Sequence, residues 1–238
     1  VYLMASARKG ALSPPNRWMR FANWPPAPQL VDLYLQEDGG LSRRAPTAAA
    51  ASRGYDFDPA NPVPTHGGSN LTFEKGPMDQ RPIGERPDYL RFATPALEDD
   101  VAIAGPVTMD LWASTDGPDT DFMVKLVDIY PDGYEAIVLD SALRTRYRHG
   151  RERDQVAMMH PGAPEKLTLD LWDTAITFEK GHRIGVHVTS SNSPRFDVNP
   201  NTGELPGHGV ETRVAHNVIY FDATHPSAIR LPVIYPEA

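Results

Sequence analysis

From Tyr89 to the end of the chain, apolar residues return at every second position, and nowhere do they sustain a helical spacing. "VTMDLWAST" places Met109, Leu111 and Ala113 on one face and Thr108, Asp110 and Trp112 on the other. "KLTLDLW" repeats the pattern with Leu167, Leu169 and Leu171. "HRIGVHVTSS" sets Ile184, Val186 and Val188 inward against Arg183, His187 and Thr189 outward. Period two is the strand period, because successive side chains of an extended chain point to opposite faces. "PDG" at 131–133 joins "FMVKLVDIY" to "YEAIVLDSALRTRYR" as a hairpin, with Pro and Asp suited to the early turn positions and Gly to the positive φ. "NVIYFD" and "IRLPVIY" add further strands, and no amphipathic helix of 12 residues is legible. Seven or more short strands with turn signals between them predict an all-β chain, a β-sandwich of immunoglobulin or jelly-roll type.

Upstream of Tyr89 the chain is dominated by proline, 24 of 238 residues in all. "SPPNRWMRFANWPPAP" (13–28) and "DFDPANPVPTHGG" (56–68) exclude regular helix, since proline removes a donor and restricts its preceding residue. Residues 13–88 read as irregular chain wrapped on a surface, with one short strand at Leu30–Leu35. Trp18, Phe21, Trp24, Tyr34, Tyr55 and Phe57 argue that this segment is packed, because disordered chain is poor in aromatics. A length of 238 suits one large all-β domain or two small ones. The net charge of -8 argues against nucleic acid as a partner, and the one basic stretch, "RTRYRHGRER" at 144–153, reads as a solvated strand end and loop. Cysteine is absent, which excludes disulfides and thiolate metal sites and leaves the compartment open. No stretch approaches the ~20 apolar residues of a membrane-spanning helix, and "VYLMASARKG" lacks the basic-then-apolar order of a signal peptide. The chain opens on Val1, with "VYLM" strand-like at once, which points to a piece of a longer polypeptide.

Catalytic patterns are missing. No serine lies in the G-x-S-x-G context that a strained nucleophile turn requires. "THGG" at 65–68 reads as a structural loop. Of the eight histidines, His182 and His187 stand five apart on opposite faces of a strand, His149 and His160 flank a charged loop, and His208, His216 and His225 lie on loops and strand ends. None has a zinc spacing, so no metal or cofactor is assigned. "STDGPDTDF" crowds Asp116, Asp119 and Asp121 into six residues without the EF-hand spacing. A calcium ion in this loop is the alternative to the favoured role, in which Asp119 and Asp121 brace a turn before a strand. A buried carboxylate there needs an arginine, and "SNSPRFDVNPNTGE" (191–204) offers Arg195 and Asn192.

The series "NRWMRFANWPP", "YDFDPANPVPTHGG", "GPMDQRP", "DTDFMVKLVDIYPDG", "LRTRYR", "GHRIGVHVTSSNSPRFDVNPNTGE" and "HPSAIRLPVI" closely resembles the C-terminal non-catalytic domain of the cocaine esterase / X-Pro dipeptidyl-peptidase (CocE/NonD) hydrolase family. That group also includes the alpha-amino-acid ester hydrolases and glutaryl-cephalosporin acylases. The resemblance runs from Asn16 to Ile234. It implies a three-part serine hydrolase: an α/β-hydrolase domain with a Ser-Asp-His triad, a helical cap, and a C-terminal jelly-roll sandwich similar to galactose-binding-like domains. On this basis residues 1–15 are the end of, and exit from, the upstream catalytic domain. Residues 16–238 are the sandwich, with 16–88 as the wrapping segment and 89–238 as the main strands. The triad lies outside the chain, so the chain alone is expected to be inactive. Its implied partners are the catalytic domain of the same polypeptide and that enzyme's small acyl ester or peptide substrate.

Two departures stand out. Val198 occupies a position where relatives often carry a basic residue, and residues 5–13 are longer and more polar than the usual junction. The loop Gly67–Phe73, "GGSNLTF", is the expected wall of the substrate pocket through Asn70, Leu71 and Phe73. The competing assignment puts Leu71 and Phe73 in the sandwich core. The alternative function is an independent carbohydrate-binding or interaction sandwich, with Trp112 and Trp172 as its aromatic platform. The two readings differ on the surface: a docked domain predicts a large apolar patch, whereas a binding module predicts a polar surface with one aromatic groove.

Overall fold

The alternation resolves into two antiparallel sheets packed face to face in a computed structural model that describes residues 1–8, 11–207 and 209–235. Four two-residue strands and one of seven residues come first: β1 (Tyr2–Leu3), β2 (Ala7–Arg8), β3 (Ala11–Leu12), β4 (Arg17–Trp18) and β5 (Gln29–Leu35). Short strands β6 (Leu41–Ser42) and β7 (Ser52–Phe57) follow, then β8 (Tyr89–Ala93), β9 (Val101–Thr115), β10 (Asp121–Ile129) and β11 (Glu135–Arg144). The chain closes with β12 (Glu165–Phe178), β13 (Arg183–Thr189), β14 (Ala215–Tyr220) and β15 (Ala228–Ile234). The only helical turns among the described residues are two 3-10 segments, Arg81–Ile83 and Thr145–Tyr147. His208 lies outside the described residues, as do Lys9 and Gly10 of the polar junction.

The long strand β9 is the spine of the seven-stranded sheet. β12 pairs along one side of it, and β15 and β14 share the other. β5 and β6 extend the sheet beyond β15, and β7 extends it beyond β14. The second sheet has the order β11-β10-β13-β8. Between the sheets lies the core. Met109, Leu111 and Ala113 of β9 and Leu167, Leu169 and Leu171 of β12 meet Phe122, Val124 and Leu126 of β10 and Ile184, Val186 and Val188 of β13. Each set occupies alternate positions, as the period-two pattern requires. The all-β sandwich expected from the sequence is the architecture found.

The proline-rich region contributes more strand than its sequence suggests. β5 runs one residue further than expected, and β7 pairs with β14 throughout its length. "SRGYDF" hides this strand because Gly54, Arg53 and Asp56 dilute its apolar content. Gly54 is there for clearance: a Cβ would sit 2.9 Å from the His216 ring on the neighbouring strand.

The later proline-rich chain, residues 58–88, forms a third layer on the outer face of the four-stranded sheet. Val63, Ile83 and Tyr89 make a small cluster there. Val63 N donates to Ser191 Oγ, and Thr65 N donates to the Ser193 carbonyl. This layer corrects one expectation. His187 and Thr189 do point away from Ile184, Val186 and Val188, but each is only 1% exposed, because the face opposite the core is covered as well.

At the other end, β1 pairs with β4, while Met4 exchanges backbone hydrogen bonds with Ala175 and Thr177 of β12. Leu3 packs with Ala102, Ala104, Ala175 and Ile234, and Met19 and Phe21 lie against them. Leu3, Met19 and Phe21 therefore lie on the outer face of the larger sheet. Asn16 ties the junction, accepting from Ala5 N and donating to the Ser6 carbonyl.

Candidate docking face and pocket wall

Two of the three aspartates, Asp119 and Asp121, brace the start of β10. Asp119 is fully buried and accepts from Thr145 Oγ1, Arg146 N, Arg146 Nε and Asn199 Nδ2. Asp121 is held by a two-pronged Arg144 contact, 2.9 Å at each oxygen, and by Asn199. Burial pushes the Asp121 carboxyl up, against the opposing pull of Arg144 and Asn199. Asp116 meets Arg213 at the surface. No group of three or more metal-ligating side chains is assembled among the described residues.

The arginines that meet these carboxylates come from "LRTRYR", so Arg144 and Arg146 are not solvated; Arg148 likewise grips Glu165. Arg144 ends β11, whereas Arg146 and Arg148 lie in and just after the 3-10 turn, so strand periodicity gave no signal for their partners. Arg195 goes elsewhere. It pairs with Asp140, which also accepts from Asn192 Nδ2.

Arg195 and Asn192 are instead part of the footing of the loop that carries Asn70, Leu71 and Phe73. Gly68 and Gly76 hydrogen-bond to each other in both directions and close the loop at its stem. Gly68 has φ +84, and a Cβ on it would lie 2.8 Å from Arg195 Nη1 and 3.0 Å from Asp140 Oδ1, so only glycine seats the stem on that ion pair. Asn70 braces the interior: its Nδ2 donates to the Gly67 and Glu74 carbonyls, and its Oδ1 accepts from Phe73 N. The tip then projects into solvent. Leu71 is 91% exposed and Phe73 39%, which removes both from the sandwich core.

Beside the loop lies a groove of about 600 Å³, between the edge of β11 and the segment that includes β1. Ile137, Leu139 and Ile176 form its apolar bed, and Tyr2, Asn70 and Asp173 stand on its rim. Each rim residue leads to a further exposed apolar group. Tyr2 stacks edge-on against Trp18, which is exposed. Asn70 carries the loop with Leu71 and Phe73. Asp173 accepts from Trp24 Nε1 at 3.0 Å and adjoins Trp172, which is 72% exposed. Trp18 and Trp24 thus contact rim residues of the groove, and Trp172 and Leu71 adjoin rim residues in sequence.

Trp172 sits at the bulge in β12 with φ +76, a conformation that costs a bulky L-residue free energy. Trp112 does not join it. Trp112 is half-buried edge-on to His225, and its cross-strand partner Lys166 is six residues before Trp172, or about 20 Å along the strand. No two-tryptophan platform forms.

The chain is an all-β sandwich with no nucleophile pattern. Comparison with known proteins gives its family. Residues 1–230 match the X-Pro dipeptidyl-peptidase C-terminal non-catalytic domain, and the chain belongs to that family. Cocaine esterase from Rhodococcus sp. (strain MB1 Bresler) is 35% identical over 232 residues, covering 92% of this chain and 40% of the relative. Among solved structures, an aminopeptidase from a marine sediment Thaumarchaeota archaeon superposes with a TM-score of 0.84 at 33% identity, covering 92% of this chain and 39% of that one. An alpha-amino acid ester hydrolase gives 0.79 at 33% identity, covering 92% and 38%. The chain spans about two fifths of the length of these relatives.

Proposed function

We propose that this chain is the C-terminal non-catalytic domain of a serine hydrolase of acyl esterase or X-Pro dipeptidyl-peptidase type. It packs on the catalytic α/β-hydrolase domain of the same polypeptide and completes the substrate pocket. The observation that carries this reading is a set of exposed apolar side chains: Leu71 and Phe73 on an internally braced loop beside an apolar groove, with Trp18 and Trp24 in contact with its rim residues and Trp172 next to one in sequence. Exposed apolar side chains grouped in this way mark an interaction surface. The names of the relatives, an esterase, an aminopeptidase and an ester hydrolase, support a hydrolytic parent.

In the parent, acyl transfer to a serine activated by histidine, with the oxyanion held by fixed donors, takes place entirely outside this chain. This domain supplies shape. The Leu71 and Phe73 side chains meet the acyl group or side chain of the substrate, and the rigid stem keeps them in place.

The test is hydrolysis of a chromogenic acyl ester and an Ala-Pro anilide by the isolated chain and by the full-length polypeptide. Activity in the full-length protein alone, abolished by a serine-directed inhibitor, is the expected result, and the preferred substrate names the subfamily. Turnover by the isolated chain would overturn the reading.

A further inference from the structure

The outer face of the four-stranded sheet carries a row of polar side chains in register across all four strands: Asp140 on β11, Lys125 on β10, His187 on β13 and Arg91 on β8. Lys125 is 1% exposed and His187 1%. Burying an ammonium group is costly, and an aliphatic side chain of similar size would fill the same space without that cost. What such a side chain could not do is bond to Gln80. Lys125 Nζ donates to Gln80 Oε1 at 2.9 Å, and Gln80 is itself fully buried. Gln80 Nε2 donates in turn to the His66 carbonyl at 2.8 Å and the Met78 carbonyl at 3.1 Å. These two carbonyls lie on opposite stems of the loop that bears Asn70, Leu71 and Phe73. The backbone of Gln80 is anchored as well, through its N–H to the Glu135 carbonyl.

We infer that Lys125 and Gln80 are positioning residues, a buried strut that holds both stems of the 66–80 loop on the sheet and thereby sets where Leu71 and Phe73 meet substrate. This rests on the proposed pocket role of the loop. Neither residue touches substrate. Tyr89 completes the seat: its ring lies 5.2 Å from Lys125 Nζ, and its hydroxyl bonds His187 Nδ1 at 3.0 Å. Burial, together with the nearby Arg91 and Lys125 charges, holds the His187 ring neutral.

The experiment uses the full-length polypeptide and a series of acyl esters from acetyl to phenylacetyl. Lys125→Met and Gln80→Leu should each raise KM for the larger esters about tenfold, with kcat and the acetyl ester little changed. Combining the two should add nothing further, because they cut one connection. Amide hydrogen exchange at Gly68, Gly76 and Met78 should accelerate in both variants.

Leu71→Ala is the control. If it leaves KM and acyl selectivity untouched, the pocket role itself fails. If it alters them while Lys125→Met and Gln80→Leu do not, the strut is refuted and the pocket role stands. A uniform loss across all esters, or a failure of either variant to fold, would mark the pair as a general structural requirement and would also overturn the inference.

Discussion

Asp116 and Asp119 are three residues apart in the same motif, and their environments separate them. Asp119 accepts four hydrogen bonds, two of them from an arginine that is itself 6% exposed. Asp119→Ala would strand that buried charge and should cost about 3–5 kcal/mol, read as a drop in the urea midpoint of the isolated chain. Asp116 meets Arg213 in water, and Asp116→Ala should cost under about 1 kcal/mol. Lys125 gives a second prediction at this scale. Burial, partly opposed by Asp140, depresses its ammonium from 10.5 to about 8. Between those values the unfolded chain holds a proton that the folded chain has released, so folding stability rises with pH from about 8 to 10.5 and is flat below. The rise should reach at most about 3 kcal/mol. Lys125→Met should lose this rise, so the stability difference between the two proteins should change steadily across that window and stay constant below it. A rise of the same size in both would show that other groups carry it.

Among the elements, the loop 66–80 is the one whose conformation depends most on a particular residue type. Gly68→Ala meets two obstacles at once, a positive φ and a Cβ pressed against the Asp140–Arg195 pair. It should destabilise by more than the roughly 1 kcal/mol of the backbone conformation alone. It should also speed exchange at the Gly76 amide, which Gly68 normally protects. Gly76→Ala carries the positive φ without a clash and should cost only the backbone term. Equal losses in the two would show that the seat on the ion pair contributes nothing. "GGSNLTF" left open whether Leu71 and Phe73 face a pocket or the core, and the loop's footing was not legible at all. Lys125 stands in "FMVKLVDIY" as a polar residue in an apolar strand, and period two says only that it faces away from Phe122, Val124 and Leu126. That this second face is covered depends on chain 45 residues earlier, which no local pattern reports.

For the whole molecule, the proposed docking sets stability against association at the exposed tryptophans. Trp172 holds a conformation that suits glycine. Trp172→Gly should leave the isolated chain as stable as before, or more stable by up to about 1 kcal/mol. The same change should weaken noncovalent association of this chain with a separately produced catalytic domain, measured by calorimetry. Loss of stability with unchanged association would show that Trp172 serves the sandwich and not the docking face. The proposed docking also predicts that a dye binding exposed apolar surface reports on the isolated chain and is displaced when the catalytic domain is added.

The residues by themselves determined the class of fold, the inward faces of β9, β12 and β13, and the lack of a nucleophile pattern. Each of these follows from spacing along one strand or from residue type at one turn. Tertiary structure decided the rest. It sent Arg144 and Arg146 to the aspartates and Arg195 to Asp140, buried His187 and Thr189 under a third layer, and placed Leu71 and Phe73 in solvent. It also kept Trp112 and Trp172 apart. The physical reason is the same in each case. Alternation states which side of a strand a residue occupies, while burial and pairing depend on what distant chain covers that side.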